Sequence, residues 1–120
     1  QIAQAIPHER VEYRVAPAEA SGLADNSADL VTVAQALHWF DLHQFYPEVR
    51  RVLKPDGAIV VWAYLDCSVD DARVDARIQH YNKEIVGPYW PPERRFVDEG
   101  YRTLPFPFRE NGSRPVTWRR

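Results

Sequence analysis

A histidine and a tryptophan stand side by side at His38 and Trp39, and they are the residues of this chain best suited to chemistry. An imidazole with an ordinary pKa of about 6.5 can act as a general base or orient a reacting group. The indole face can attract a cation or shield a site from water. The structural alternative has His38 hydrogen-bonded to a backbone carbonyl and Trp39 packed in the core. The residue types alone leave both interpretations open.

A second set of candidates combines aromatic rings with arginine in the second half of the chain. Arg94 and Arg95 could present a guanidinium fork to a carboxylate, which such a fork matches in shape and charge. The aromatic residues that could line the same site are Tyr64, Tyr89 and Trp90. The alternative is that Glu93, Arg94 and Arg95 form a solvated surface run.

Other chemistries fit the sequence less well. The four histidines do not recur at metal-ligand spacing, and His38 and His43 lie five residues apart, off one helical face. The chain contains neither a Gly-x-Ser-x-Gly elbow nor a Walker loop. The basic residues within 114–120, beside Trp118, are more typical of a chain terminus than of a nucleic-acid site. We therefore predict no metal.

Composition is that of a soluble globular protein and favours a cytoplasmic location. The 120 residues are 45% hydrophobic and 27% charged, and the net charge of -2 gives no basic field for nucleic acid or membrane. No apolar run approaches the roughly 20 residues of a membrane span. The single cysteine, Cys67, cannot form an internal disulfide, as is usual in a reducing compartment. Because the sequence begins with Gln1 and contains no methionine, we expect a trimmed or partial protein.

Three strands are predicted in the first half. Residues 11–15 alternate apolar and polar, which is the period of a half-buried strand. Residues 29–34 and 58–62 are apolar and β-branched, which is typical of strands buried on both faces. The last two strands flank a helical segment, so they predict a parallel crossover unit and an α/β fold.

The predicted helix between those strands has a cap and an interruption. Asp41 can cap it, and apolar residues recur at spacings of three and four through residues 42–53. Pro47 lacks a backbone donor, so we expect the regular helix to begin near Tyr46. Residues 54–57, Lys-Pro-Asp-Gly, predict a turn before the next strand.

The second half predicts a helix followed by an extended cap. Ser68 and Asp71 have capping-box spacing, and Gly87-Pro88 ends the helix. Trp62 and the apolar stripe of this helix are expected in the core; the stripe is Val74, Ile78, Tyr81 and Ile85. Residues 104–108 alternate apolar side chains with proline, which excludes a central strand and favours a proline-rich, aromatic cap segment.

Four motifs of the first half together resemble one enzyme family. They are Ala18-Glu19, Asp29-Leu30-Val31-Thr32, Ala34-Gln35-Ala36-Leu37-His38-Trp39-Phe40-Asp41 and Glu48-Val49-Arg50-Arg51-Val52-Leu53-Lys54-Pro55-Asp56-Gly57. Their succession looks like that of class I, S-adenosylmethionine-dependent methyltransferases, and resembles most the small-molecule branch that contains trans-aconitate methyltransferases. The resemblance implies a Rossmann-like sheet, S-adenosylmethionine as cofactor, and methyl transfer to a small-molecule acceptor, with a carboxylate among the candidates.

The resemblance also implies roles for individual residues. Cofactor contacts would come from Ala18, Glu19, Ala34, Gln35, Ala36 and Trp39. Ala18 and Glu19 would lie near adenine, although Pro17 stands where the family usually has an acidic residue. His38 would be the catalytic residue beside the reacting methyl group. Acceptor contacts would come from Tyr64, Tyr89, Trp90 and Arg94.

The same resemblance predicts a sheet with an interrupted centre. Residues 11–15, 29–34 and 58–62 would be the third, fourth and fifth strands, and in the family two further strands separate the third from the fourth. The family's Gly-rich cofactor loop has no counterpart here, because the five glycines are isolated. We therefore expect a C-terminal portion, with residues 1–66 as a partial methyltransferase core. Residues 67–120 would be the helix and cap segment of the same domain.

Two functional hypotheses stay open at this point. In the first, the chain carries the substrate half and part of the cofactor pocket of a methyltransferase, and is inactive alone. In the second, it is a non-catalytic remnant that associates with itself or a partner through exposed hydrophobic strands. A homo-oligomer could then complete the sheet. Neither hypothesis predicts a nucleic acid or a membrane as partner.

Overall fold

Two parallel strands form the sheet in the computed structural model, which describes residues 2–112. Strand β1 spans Ala28–Ala34 and strand β2 spans Leu53–Trp62. Their register runs from Ala28 opposite Leu53 to Ala34 opposite Trp62. The α/β fold class is thereby confirmed, and the sheet contains the two strands predicted at 29–34 and 58–62.

Helices and helical turns precede, separate and follow the two strands along the chain. Helix α1 spans Leu42–Val52, α2 spans Ala72–His80 and α3 spans Arg94–Asp98. A π-helical turn at Tyr81–Ile85 continues α2, and 3-10 turns lie at Ile2–Gln4, Leu37–Trp39 and Gly87–Tyr89. None of the described helices is long and apolar enough to cross a membrane. The basic tail at 114–120 lies outside the described residues.

Helix α1 tolerates a proline because a cap and an apolar stripe stabilise it. The Asp41 side chain accepts a backbone hydrogen bond from the first turn. Phe45, Tyr46 and Val49 are buried on the stripe. Pro47 lies inside the helix, so the prediction that the regular helix begins near Tyr46 was wrong. An interior proline costs about 3 kcal/mol. Burial of each large apolar side chain returns roughly 1.5–3 kcal/mol, which is enough to offset it.

The sheet is covered on one face. Val33, Val49 and Leu53 belong to the buried cluster between the sheet and α1, with Leu37 at only 2% exposure. On the other face, the large apolar side chains are exposed by 46–53%; they are Leu30, Val60 and Trp62. The predictions of strands buried on both faces and of Trp62 in the core were therefore wrong. No described element packs against that face.

The apolar stripe after Asp71 is also exposed. Val74, Tyr81 and Ile85 are each about half exposed, contrary to the prediction that they lie in the core. The helix itself was predicted correctly, but its cap is Asp71, whose side chain accepts the N–H groups of Arg73 and Val74. Ser68 lies too early in the chain for that role.

Residues 11–15 do not form a strand, which corrects the expected equivalence to a third strand. The only pairing in this region is an isolated bridge between His8 and Val11, and Val15 is 91% exposed. Alternating side chains make a strand possible, but backbone pairing and a covered face stabilise it. Within the described residues, neither is present beside this segment.

The proline-rich segment packs on α1 as an extended chain. Leu104, Phe106 and Phe108 are half-buried, whereas the intervening prolines are exposed, as the alternation predicts. The Tyr46 hydroxyl donates to the Pro105 carbonyl oxygen at 2.6 Å, and the Arg50 guanidinium donates to that of Pro107 at 2.6 Å. These hydrogen bonds, and the contacts of the Phe106 and Phe108 rings with Tyr46, bind the cap segment to the outer side of α1.

A partly buried ion pair within α1 binds the loop that precedes β1. The Glu48 carboxylate accepts two bonds from Arg51, at 2.8 Å each, and two from the backbone and hydroxyl of Ser21. Arg51 also donates to Asp25. The Glu48 side chain is only 10% exposed. Arg51 first, and Ser21 second, hold the pKa of Glu48 at about 2, against an ordinary value of 4.5.

This arrangement predicts how stability depends on pH. Because the folded state favours the ionised Glu48, its contribution is complete above about pH 4.5 and is lost as the pH falls toward 2. Glu48→Gln should lower the urea midpoint at pH 7, and the two proteins should converge near pH 2. Glu12→Gln, at a 71% exposed carboxylate, is the matched control and should change little. Equal midpoints of the Glu48→Gln and native chains at pH 7 would refute the role of this network.

A second prediction concerns residues 54–57, which the structure places within β2 as an irregularity of the strand and not as the turn predicted before it. Ala28 pairs with Leu53 and Leu30 pairs with Ala58, so five residue steps along β2 lie opposite two along β1. The additional residues of β2 bulge out of the regular pairing. A Cβ on Gly57 would lie 2.9 Å from Leu53 Cδ2 and 3.1 Å from the Ala28 carbonyl oxygen. Gly57→Ala should destabilise the chain by about 1–3 kcal/mol, measured by urea unfolding. Gly87→Ala is the control, since its Cβ would meet only one atom, at 3.3 Å. Similar losses for both variants would contradict the steric explanation.

Candidate functional site

The carboxyl end of β1 is shaped by Gln35. This residue has a left-handed φ of 52°, and its backbone N–H donates to the Trp62 carbonyl oxygen at 2.9 Å. Its side-chain amide then pairs with the backbone of Tyr64: Oε1 accepts from the N–H at 2.8 Å and Nε2 donates to the carbonyl oxygen at 3.2 Å. The amide thus continues the sheet by one step and fixes the chain after both strands. The Gln35 side chain is engaged in this bridge.

His38 lies in the 3-10 turn that follows, between two aromatic rings. Its ring centroid is 4.6 Å from that of Trp39 and 5.8 Å from that of Tyr101. His38 Nδ1 lies 2.8 Å from the Tyr101 hydroxyl. Leu37, in the same turn, is buried in the core and anchors it. One of the two alternatives from the sequence paired His38 with a backbone carbonyl. In the structure its partner is instead the side chain of Tyr101.

The surroundings favour the neutral form of His38. Burial is the main cause that lowers its pKa below the ordinary 6.5; Glu93 opposes this shift and Arg94 adds to it. The ring is therefore neutral at pH 7 and can accept a proton. Tyr101 stays protonated there too, since burial raises the pKa of its hydroxyl.

The two residues predicted near adenine lie against the start of α1. Glu19 Oε1 accepts the backbone N–H of Asp41 at 3.0 Å, and Ala18 packs on the core cluster. Asp41 is two residues beyond Trp39, so the Glu19 carboxylate lies close to the turn that carries His38 and Trp39. Trp39 itself is 56% exposed and does not pack in the core. Ala34 and Ala36 flank Gln35 at the carboxyl end of β1.

The predicted acceptor residues do not all gather in one place. Arg94 donates to Asp66 at 2.7 Å and to Asp98 at 3.0 Å, and its guanidinium lies 4.6 Å from the Trp90 ring centroid. These residues line an open groove of about 450 Å³, together with Arg95. Tyr64 and Tyr89 are 73% and 84% exposed and lie outside the lining of this groove.

Residue types alone did not reveal two members of this region. Tyr101 comes 63 positions after its partner His38, and Asp66 comes 28 positions before Arg94. The one local signal was Gly100, which marks the end of a helix just before Tyr101. Among the described residues, no group of His, Cys, Asp and Glu is arranged to hold a metal ion.

The Gln35 bridge predicts a local effect on backbone exchange. Gln35→Ala removes both bonds to Tyr64, so the Tyr64 amide should exchange with solvent roughly 5–10 times faster. Hydrogen exchange followed by NMR would measure this. Gln44→Ala is the control, because Gln44 bonds only to Asp41 at the other end of the turn. Unchanged exchange at Tyr64 in Gln35→Ala would show that the bridge contributes nothing there.

Comparisons with known proteins give one consistent family. A family model described as a methyltransferase domain matches residues 1–61. A Dictyostelium discoideum protein provisionally named a methyltransferase is 41% identical over 104 residues, which cover 84% of this chain and 39% of that protein. An uncharacterized methyltransferase of Mycobacterium tuberculosis is 39% identical over 102 residues, covering 84% and 37%.

A solved structure shows the same likeness in three dimensions. It is a chain from Anaeromyxobacter dehalogenans, provisionally named a type II methyltransferase, with 46% identity and a TM-score of 0.83. The match covers 97% of this chain and 49% of that one, so this chain spans about half its length and about two fifths of the two curated relatives. The trans-aconitate branch stays a prediction. The chain belongs to the class I, S-adenosylmethionine-dependent methyltransferases, as the family model, the curated relatives and the solved structure together show.

Proposed function

We propose that this chain forms part of an enzyme that transfers the methyl group of S-adenosylmethionine to a small-molecule acceptor. The observation that carries the proposal is the position of residues 35–39. They follow β1 at the carboxyl end of a parallel sheet, which is where open α/β sheets bind their ligands. His38 and Trp39, the two side chains best suited to this chemistry, both lie in that turn.

The candidate cofactor residues fit the chemical character of S-adenosylmethionine. Ala34 and Ala36 have small side chains that leave room beside the backbone. The half-exposed Trp39 ring offers a π face, which attracts a cation such as a sulfonium. The Glu19 carboxylate can accept from an amino group such as that of adenine. With Ala18 and Gln35, this set contains no basic side chain to repel a positive charge. When bound, the cofactor supplies a methyl group on a positively charged sulfur.

The residues of this chain would then orient, shield and take up a proton. Methyl transfer is an in-line displacement, so alignment and exclusion of water contribute more than a dedicated base. Trp39 would form one side of the reacting centre and help to exclude water from it. His38 is neutral at pH 7, and its Nε2 can accept a proton from the acceptor when Nδ1–H donates to the Tyr101 hydroxyl oxygen.

The acceptor side is proposed to comprise Tyr64, Tyr89, Trp90 and Arg94. Arg94 is balanced by Asp66 and Asp98, so its charge is largely matched within the chain. A carboxylate acceptor would have to compete with those two aspartates. We therefore propose that Trp90 and Arg94 form a flat wall with hydrogen-bond donors at its edge, and that carboxylate binding would be weak.

A second candidate function is favoured by the uncovered sheet face. Leu30, Val60 and Trp62 form an apolar patch on which a second copy of the chain could pack and cover this face of the sheet. In that case the chain would serve as a self-association domain without catalysis. Sedimentation of the chain and of its Val60→Lys variant would separate the two: a dimer that dissociates in the variant supports self-association, and a monomer in both excludes it.

The cofactor proposal predicts a specific loss of affinity. Calorimetric titration of S-adenosylmethionine into the complete protein should show binding, and Trp39→Ala should weaken it roughly 5–10-fold through loss of the π face. Trp39→Phe keeps an aromatic face and should lose less. Equal affinity of the native, Trp39→Ala and Trp39→Phe proteins would remove Trp39 from the site. Absence of binding to the native protein would refute the proposed function itself.

A further inference from the structure

We propose that Tyr101 is the positioning residue for His38: its hydroxyl oxygen accepts from Nδ1–H, so that the unprotonated Nε2 faces the acceptor. The inference rests on the proposed function for its purpose, but its geometry stands without any ligand. A tyrosine hydroxyl can donate or accept, and only the tautomer with the hydrogen on Nδ1 leaves a lone pair on Nε2 for chemistry.

The contact geometry limits how the imidazole can move. Tyr101 Oη lies 2.8 Å from His38 Nδ1, within the range of a good hydrogen bond. The Tyr101 and His38 rings are tilted by 33°, and the Trp39 ring lies against the imidazole with its centroid 4.6 Å away and its plane tilted by 47°. A ring flip would exchange Nδ1 for a carbon and break the bond to the hydroxyl. The pair therefore favours one ring orientation.

The backbone of Tyr101 is held in a costly conformation that aims its ring. Gly100 and Tyr101 both have left-handed φ values, 62° and 60°. The Tyr101 N–H donates to the Phe96 carbonyl oxygen at 2.7 Å and the Gly100 N–H to that of Val97 at 2.8 Å, which is the double closure of a Schellman motif. A bulky residue with positive φ is uncommon, and such strain clusters at functional sites. The closure of α3 thus turns Tyr101 toward His38.

Packing alone does not require the hydroxyl. The Tyr101 ring contacts the core cluster and would fill the same space as phenylalanine. The groups that act electrostatically on His38 are Glu93, which favours its charged form, and Arg94, which disfavours it. Both remain in a Tyr101→Phe variant, so that substitution isolates the hydroxyl from packing and from charge.

The test is the tautomer of His38, read by long-range ¹H–¹⁵N NMR on the full chain as a function of pH. In the native chain, neutral His38 should populate mainly the Nδ1–H tautomer, in which Nε2 is unprotonated. Tyr101→Phe should change the tautomer ratio by about 5–10-fold and shift the titration of His38. His8, His43 and His80 are internal controls that should not change. Tyr81→Phe, at an exposed ring, is the matched variant and should leave His38 unaltered.

Two outcomes overturn the proposal. The first is a native His38 whose neutral form carries its hydrogen mainly on Nε2, or on both nitrogens in similar amounts. This result needs no variant and so does not depend on how Tyr101→Phe folds. The second is a folded Tyr101→Phe chain with unchanged tautomer ratio and titration. Neither result depends on S-adenosylmethionine. Failure of the positioning role is therefore distinguishable from failure of cofactor binding, which calorimetry measures separately.

Discussion

The packing of α1 against one face of the parallel strand pair is the interaction on which the described structure depends. Phe45 and Val49 fill the space above Val33 and Leu53, and partly buried apolar side chains of the loop before β1 and of the cap segment pack against the same cluster. The helix and the two strands are consecutive in sequence, so this core forms with short loop closures. Its stability has one apparent weakness, the interior Pro47, which the Asp41 cap and the buried stripe offset.

Two separate segments use the surface of α1 that the sheet leaves free. The loop before β1 is bound through Glu48 and Arg51, and the proline-rich cap segment through Tyr46 and Arg50. Tyr46 and Arg50 donate to the carbonyl oxygens of Pro105 and Pro107, in a segment that is not part of a sheet. One helix therefore holds both the loop that precedes β1 and a cap segment that lies 57–59 positions further along the chain than the helix residues it contacts. The other face of the sheet exposes apolar side chains to solvent, and Trp62 is the largest of them.

The candidate site depends on backbone shape more than on charge. Gln35 has a left-handed φ and uses its amide to bridge to Tyr64, so the turn that carries His38 leaves β1 at a fixed angle. Tyr101, in a second left-handed position, approaches from α3. Both are non-glycine residues with positive φ, held by hydrogen bonds that repay the strain. The site is thus fixed from two directions, one after a strand and one after a helix.

Sequence by itself determined the elements whose signals are local. The apolar runs at 29–34 and 58–62, the Asp41 cap and the succession of motifs through Gly57 predicted the strand pair, the helix and the family. It placed His38 and Trp39 after β1 for the same reason. Tertiary structure decided what depends on distant partners. Residues 11–15 have the period of a strand, but a strand also needs a neighbouring backbone. The role of Tyr101 could not be read locally, because its meeting with His38 spans 63 positions and results from how α3 ends.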